Sequence, residues 1–513
     1  MIRYCKIIVL LLLAAATLSA YGQHLIEYEA GMGSRDASLP DTWILYKKVK
    51  ATHEGMTLFA DSALLNTVEN DFTAFRHIKI VLTDTTTIFG DRLFYNGNTR
   101  IVDIWGDTVV FIDGATILKT DRLSYDRNTN TGYYTHWGHS VDHEDTLDSR
   151  EGRYNSDLKE FYIYNDVVLR DTSSRLVTDT LLYNTTTGVA KFMSPTHIYS
   201  DSTTIYSERG SYNTRTNYAL SLKASQVVSG KKRLSCDTLH YYEDTQYGRA
   251  FGNVVIFDSS NDITCKGRYG ESDMTRRFSF VTDSALVIFV DQGDSLYMHA
   301  DSIVATHNDK QEFETVRSNY GVRIFREDVQ GICDSAFYAV NDSLLTLYYN
   351  PILWYDSFQC AADTIVLFLE KDGLKLAKLR SNSFAIKQVD PDKFNQIKGK
   401  NSDIYFAKGE PQYADVIGSA QMVYYVTEDD ERSNMVDKDG NKPQLLVGVN
   451  VGMGASMRIY FEKRKPQRVA TYGSPDMNTY PLKMLPDEMR QLPGFQWQSS
   501  KRPRSRDEVF LKK

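Results

Sequence analysis

The residues best equipped for chemistry are few and scattered. His136-Trp137-Gly138-His139, with His143 and Asp145 just beyond, gathers three imidazoles and a carboxylate in one short stretch. Those donors suit zinc, but their spacing matches no established zinc site, and a solvated turn explains them as well. Asp437-Lys438-Asp439-Gly440-Asn441 has the opening of a calcium loop without the distal Glu that completes one. Gly448, Gly452 and Gly454 form no phosphate or dinucleotide fingerprint, and no Lys-Ser/Thr follows them; a glycine-bearing strand accounts for them. The chain has no G-x-S-x-G and no H-E-x-x-H, and no pair of carboxylates is set apart for acid–base work. On this reading there is no catalytic residue, no metal site and no cofactor, and the expectation is not an enzyme.

What the sequence does contain is a repeat. Gly90-Asp91-Arg92-Leu93-Phe94-Tyr95 returns as Thr120-Asp121-Arg122-Leu123-Ser124-Tyr125, as Thr178-Asp179-Thr180-Leu181-Leu182-Tyr183 and as Cys236-Asp237-Thr238-Leu239-His240-Tyr241. A second form puts Gly where Leu stood: Glu151-Gly152-Arg153-Tyr154, Arg209-Gly210-Ser211-Tyr212 and Lys266-Gly267-Arg268-Tyr269. The anchor positions are 61, 91, 121, 150, 179, 208, 237 and 265, a step of 28 to 30 residues, and looser copies follow at 301, 334 and 363. From 121 the two forms alternate, so a double unit of about 58 residues is also visible.

Leu and Tyr two positions apart lie on one face of a strand, and the polar residues around them complete the alternation of a half-buried strand. Further strands are expected at Thr108–Asp113, Asp166–Asp171 and Val254–Asp258, separated by turns such as Asn96-Gly97-Asn98. Helical periodicity is almost absent before residue 480. A unit this small cannot bury its apolar face alone, so stacking must build the core. The acid of each copy shares the parity of Leu and Tyr, which is costly unless it sits at a corner bonding turn N–H groups. The alternating Gly is expected to admit close backbone approach or a bulge where the wall bends.

The 513 residues carry 59 Lys+Arg against 66 Asp+Glu, net −7, with 33 Tyr and 24 Phe. That balance disfavours nucleic acid and tilts the chain towards β structure. Arg3 and Lys6 followed by apolar Ile7–Ala16 and Ala20-Tyr21-Gly22 read as a signal peptide over 1–22, cleaved before Gln23. Cys236, Cys265, Cys333 and Cys360 then remain, with no C-x-x-C; they are expected to fill small apolar positions in strands. Lys501–Lys513, with six basic residues against two acidic, reads as a solvated tail or an anchor for an acidic partner or anionic lipid.

The Asp-x-Leu-x-Tyr strands, the intervening strands ending in Asp and the export signal resemble the OstA/LptA family of periplasmic lipopolysaccharide-transport proteins. The similarity is closer to the longer OstA-like proteins of Bacteroidetes. It extends over most of 25–425 and to the final Leu492-Pro493-Gly494-Phe495-Gln496-Trp497 and Arg502-Pro503. The resemblance implies an all-β, elongated, repetitive β-jellyroll or half-pipe whose apolar interior shields lipid A acyl chains, with a short mixed C-terminal tail. It implies as partners lipopolysaccharide, other jellyroll components of a bridge, the outer-membrane translocon, and possible head-to-tail copies of itself. The station would be the periplasm, in association with the outer membrane. The chain is far longer than the single-domain carrier and lacks the long C-terminal barrel of the translocon member.

The expected domains are a jellyroll at 23–190, a second β-repeat domain at 191–425, and a C-terminal region at 426–513. Leu93, Tyr95, Leu123, Tyr125, Leu181, Tyr183, Leu239 and Tyr241 are the candidates to line a lipid groove. Recurrent Asp-Ser/Thr followed by an aliphatic or Ala, as at Asp179-Thr180-Leu181, also resembles an O-glycosylation signal of exported Bacteroidetes proteins. The competing reading is an exported structural or adhesive β-solenoid with a filled core that binds protein or glycan. The two differ in the interior, open in a carrier and packed in a solenoid.

Overall fold

The computed structural model describes residues 25–201, 203–291, 294–310, 312–370, 373–429, 444–462 and 464–511. The expected signal peptide and the Asp437–Asn441 loop lie outside the described residues. Among the described residues, forty strands and four short 3-10 turns make up the regular structure, every registered strand pair is antiparallel, and no helix is long and apolar enough to cross a membrane. The fold is all-β, of jellyroll type.

The building block is a strand bent in the middle. Thr86–Asn96 shows why. Thr86 and Ile88 are buried before Gly90-Asp91, Leu93 and Tyr95 after it, so the buried parity changes from even to odd across the bend. Both arms thus turn their apolar side inwards, and the acid that shares the parity of Leu93 and Tyr95 is left outside, at the corner. The neighbouring strand Asp71–Val81 makes the same bend with two residues where its partner uses one: Phe75 pairs with Arg92 and Ile78 with Gly90, leaving Arg76-His77 opposite Asp91. Both carry positive φ, +63° and +48°, a bulge that turns the strand. One step of the repeat is therefore a pair of bent strands, longer than the sequence suggests: the strand expected at Thr108–Asp113 runs Ile101–Asp113.

The chain forms two compact units, the first containing the described residues up to Asp201 with Tyr206–Tyr218, the second those of 202–205 and from Ala219 onwards. In the first, the registers join the Tyr positions into one row running across the strands. The row passes Leu65, Phe72, Tyr95, Val102, Tyr125, Gly132, Tyr154, Phe161, Tyr183, Ala190 and Tyr212. Strands about 4.8 Å apart bring successive side chains into contact along such a row, and Tyr154 and Phe161 rings lie 4.5 Å apart. The Gly form of the repeat is a matter of volume: a Cβ on Gly152 would collide with the Tyr134 hydroxyl and with Ile163. Gly152 lies within regular pairing beyond the corner and does not mark the bend, whereas Gly267 does: the register shifts between Lys266 and Tyr269, and a Cβ at Gly267 would meet the Thr282 backbone.

The second unit begins with the same bent strands. In its first copies the step shortens to 28, and Tyr269 turns out of the row to bond Glu271, as a change of register requires. Later strands lengthen to 15–20 residues over Gly373–Asp390, Lys393–Ala407 and Glu410–Asp429.

After Pro481 the chain runs as a strap of 3-10 turns along the outer side of these strands. Gln359 donates to the Gln496 carbonyl (2.7 Å) and accepts from the Gln498 N–H (2.8 Å). Gln396 repeats the clamp on Arg490 and Leu492. Arg502 bonds Gln330 (2.7 Å), and Val509 is fully buried. The basic run as far as 511 is therefore docked on the sheet and not a solvated tail, because its apolar and amide groups find partners there.

A buried polar cluster sits in the second unit. Lys232 Nζ lies 2.7 Å from His307 Nδ1, and His307 Nε2 is 2.8 Å from Ser279 Oγ. Burial first, then the neighbouring ammonium, pushes His307 down to about 3; burial pushes Lys232 down to about 7. The unfolded chain takes up the imidazole proton near pH 6.5, whereas the fold resists it. The stability held above that pH is lost as pH falls towards 3. We expect the full chain to lose about 2–3 kcal/mol between pH 6.5 and 4.5 from this residue alone. In His307→Gln, denaturant midpoints over that interval should flatten; an unchanged slope would refute the assignment.

Candidate functional site

The sequence-predicted groove residues all face inwards. Leu93, Tyr95, Leu123, Leu181, Tyr183 and Leu239 have no exposed surface, and Tyr125 and Tyr241 have 2% and 7%. In the first unit their hydroxyls are tied. Tyr95 meets His53 (2.6 Å) and accepts from Arg127 (2.8 Å); Tyr183 donates to Asp145 (2.6 Å). Tyr154 and Tyr212 reach Asp113 and Asp171, both at 2.8 Å. Each acid belongs to the end of another strand, so the tyrosines fasten one arm of the jellyroll to the other. Burial and the facing carboxylates push the Tyr154 and Tyr183 hydroxyls well above their ordinary pKa.

The acid column lies at the corners, as the parity argument demanded, but its partners are mainly side chains. Asp61 pairs with His77 (2.7 Å), Asp121 with His136 (2.9 Å), Asp237 with Asn253 and Asp363 with Asn382, while Asp91 takes the backbone N–H of Asp107. Gly252 serves the same corner: its φ is +70°, and a Cβ there would collide with the Asp237 carboxylate.

This disperses the histidine cluster. His136 belongs to the corner column, His139 pairs with Asp148 (2.7 Å), His143 with Asp142 (3.2 Å), and Asp145 holds Tyr183 and Thr214. Among the described residues no three His, Cys, Asp or Glu side chains are placed to hold a metal ion. The four cysteines are free and buried in or beside strands, as expected; burial pushes their thiols up to about 12.

An apolar open space lies elsewhere, in the second unit between the arms of the lengthened strands. A cavity of about 120 Å³ there is lined by Leu374, Ala377 and Leu379 before the bend of one strand and by Ala385 and Lys387 after it. The next strand gives Ile397 and Ile404 from its two arms, and the one after gives Ala414, Val416, Met422 and Tyr424. Cys360, Phe358, Ile459 and Phe461 complete a wall that is almost wholly apolar. Ala377, Ala385 and Ala414 put short side chains on this wall, so the arms face each other across space. A second cleft, about 270 Å³ and more polar, opens between Ile263, Phe289, Leu296, Tyr338 and Leu345.

None of the eight predicted residues lines either space; Tyr241 alone borders a smaller pocket beside Lys232. The cavity residues were missed because the repeat was read by its Leu/Tyr positions. The signal was the loss of Tyr: in Asp363-Thr364-Ile365-Val366-Leu367 the fifth position is Leu.

With that geometry in place, comparison with known proteins is informative for the first unit and the start of the second. Residues 26–179 and 162–234 match the family described as OstA-like protein. Over that span the chain is OstA-like. The OstA-like segment contains the corners from 61 to 208 and the whole Tyr row, whereas the apolar cavity lies beyond it. No curated protein matches the chain. Among solved structures it is similar to LptH, the LptA-homologous periplasmic component of the conserved lipopolysaccharide transport device from Pseudomonas aeruginosa. That similarity has 10% identity over 28% of this chain and 83% of the other, at a TM-score of 0.17.

Proposed function

We propose that this OstA-like chain is an exported, periplasmic lipopolysaccharide-binding transport protein that shields acyl chains and bridges towards the outer membrane. The observation that carries the reading is the apolar cavity between the bent arms of the second unit. Each buried methylene contributes about 0.8 kcal/mol, so an acyl chain placed there gains several kcal/mol before its ordering cost. Such a function needs no catalytic group. The described pairings support the bridging half of the proposal. Lys465–Tyr472 and Asp476–Pro481 each pair with Gln444–Glu462 and with no second strand among the described residues, leaving edges to which another jellyroll, a second copy or a translocon could add a strand.

The packed interior of the first unit is what favours the rival, an exported structural or adhesive solenoid. In the carrier reading those Leu/Tyr rows are a closed part of the groove that acyl chains would have to part. Mass spectrometry of lipid retained by the mature protein, isolated gently from its host, separates the two. Lipid A-bearing species near one per chain are expected; a folded, lipid-free protein would sink the carrier reading.

A further inference from the structure

The wall of the apolar cavity holds one charged group. Lys387 follows the bend of strand Gly373–Asp390, in register with Phe358 on one side and Asn395 on the other. Its ammonium stands over the Phe358 ring at 4.9 Å, and it is half-buried among the apolar lining. It has no hydrogen bond and no ion pair among the described residues. The charges that act on it are Asp356, which favours its proton, and Lys465, a second cation that opposes it, while burial depresses its pKa most of all. A partly desolvated ammonium facing an aromatic ring recovers only a fraction of what water would supply.

We infer that Lys387 is the headgroup contact of this cavity, which takes an acyl chain ending in an anionic group, a carboxylate or a phosphate, with the chain along the apolar wall and the anion at the ammonium. The inference rests on the acyl-shielding reading of the same cavity and adds the polarity of its occupant. A charge-assisted hydrogen bond supplies what Lys387 lacks, and Lys465 adds attraction of the same sign. A neutral amphiphile would leave the ammonium as it is.

The test uses the full mature chain, freed of lipid, and calorimetric titration near neutral pH with decanoate, decyl phosphate and decanol. Both anions should bind at least about tenfold more tightly than decanol. The tighter of the two indicates whether the natural group is a carboxylate or a phosphate. In Lys387→Met that preference should vanish with decanol affinity kept, and in Lys387→Arg it should persist. Decanol binding the native chain as tightly as the anions, or Lys387→Met weakening all three alike, would overturn the inference while leaving an acyl site. If none of the three binds, the acyl reading itself falls and takes the inference with it. The comparison of the three ligands on the native chain decides the matter even if Lys387→Met does not fold.

Discussion

Leu181→Asp unfolds the first unit. The side chain has no exposed surface and is paired across the sheet with Ile163 and Phe192, so the change removes a buried aliphatic group and puts a carboxylate where no partner faces it. Large-to-small changes at such sites cost about 2–5 kcal/mol, and an unpaired buried polar group adds more. Against a typical total of about 5–15 kcal/mol, the sum is most of what a domain has. Hydrogen exchange read by peptide should show protection lost throughout 25–201, with the peptides of 373–429 keeping theirs. Leu158→Asp, in a turn and 62% exposed, is the control and should change nothing measurable. A folded Leu181→Asp would mean that the row is loose enough to admit water, and the groove would then extend into the first unit after all.

How the fold could be read from sequence follows from the same row. The bend requires an acid outside, Leu and Tyr inside, and a bulge on the neighbour, and those needs fix residue types at fixed offsets. The period, the all-β class and the buried cysteines were therefore legible. The partners were not. Nothing local to Tyr183 says that its hydroxyl meets Asp145, because that contact depends on the arms closing on each other. Nor does Asp121 announce His136, which sat in a cluster that looked like a ligand set. The strap was missed for a similar reason: Gln330, Gln359 and Gln396 are polar residues on outer positions of strands, and only the docked C-terminus explains why all three are buried.

The candidate site failed to show because a cavity is made by what is missing. Reading for strong apolar residues finds the packed rows and passes over the short side chains of Ala377, Ala385 and Ala414 that border the space. That distinction can be tested directly by filling it. Ala377 and Ala414 face the cavity from different strands, and each takes part in ordinary antiparallel pairing. Ala377→Phe with Ala414→Phe places two rings in the free volume. Overpacking a tight core costs about 1–3 kcal/mol per site, but here the rings have somewhere to go, so the thermal midpoint should fall little or rise. Lipid retained through purification should drop to background in the double variant, while the Tyr row, the corners and the strap stay as they are. If lipid is instead retained at the native level, the acyl chains lie elsewhere, and the more polar cleft beside Phe289 and Tyr338 becomes the place to fill next. The experiment thus separates carriage from folding, which Leu181→Asp cannot do: one substitution removes the wall, the other removes only the room.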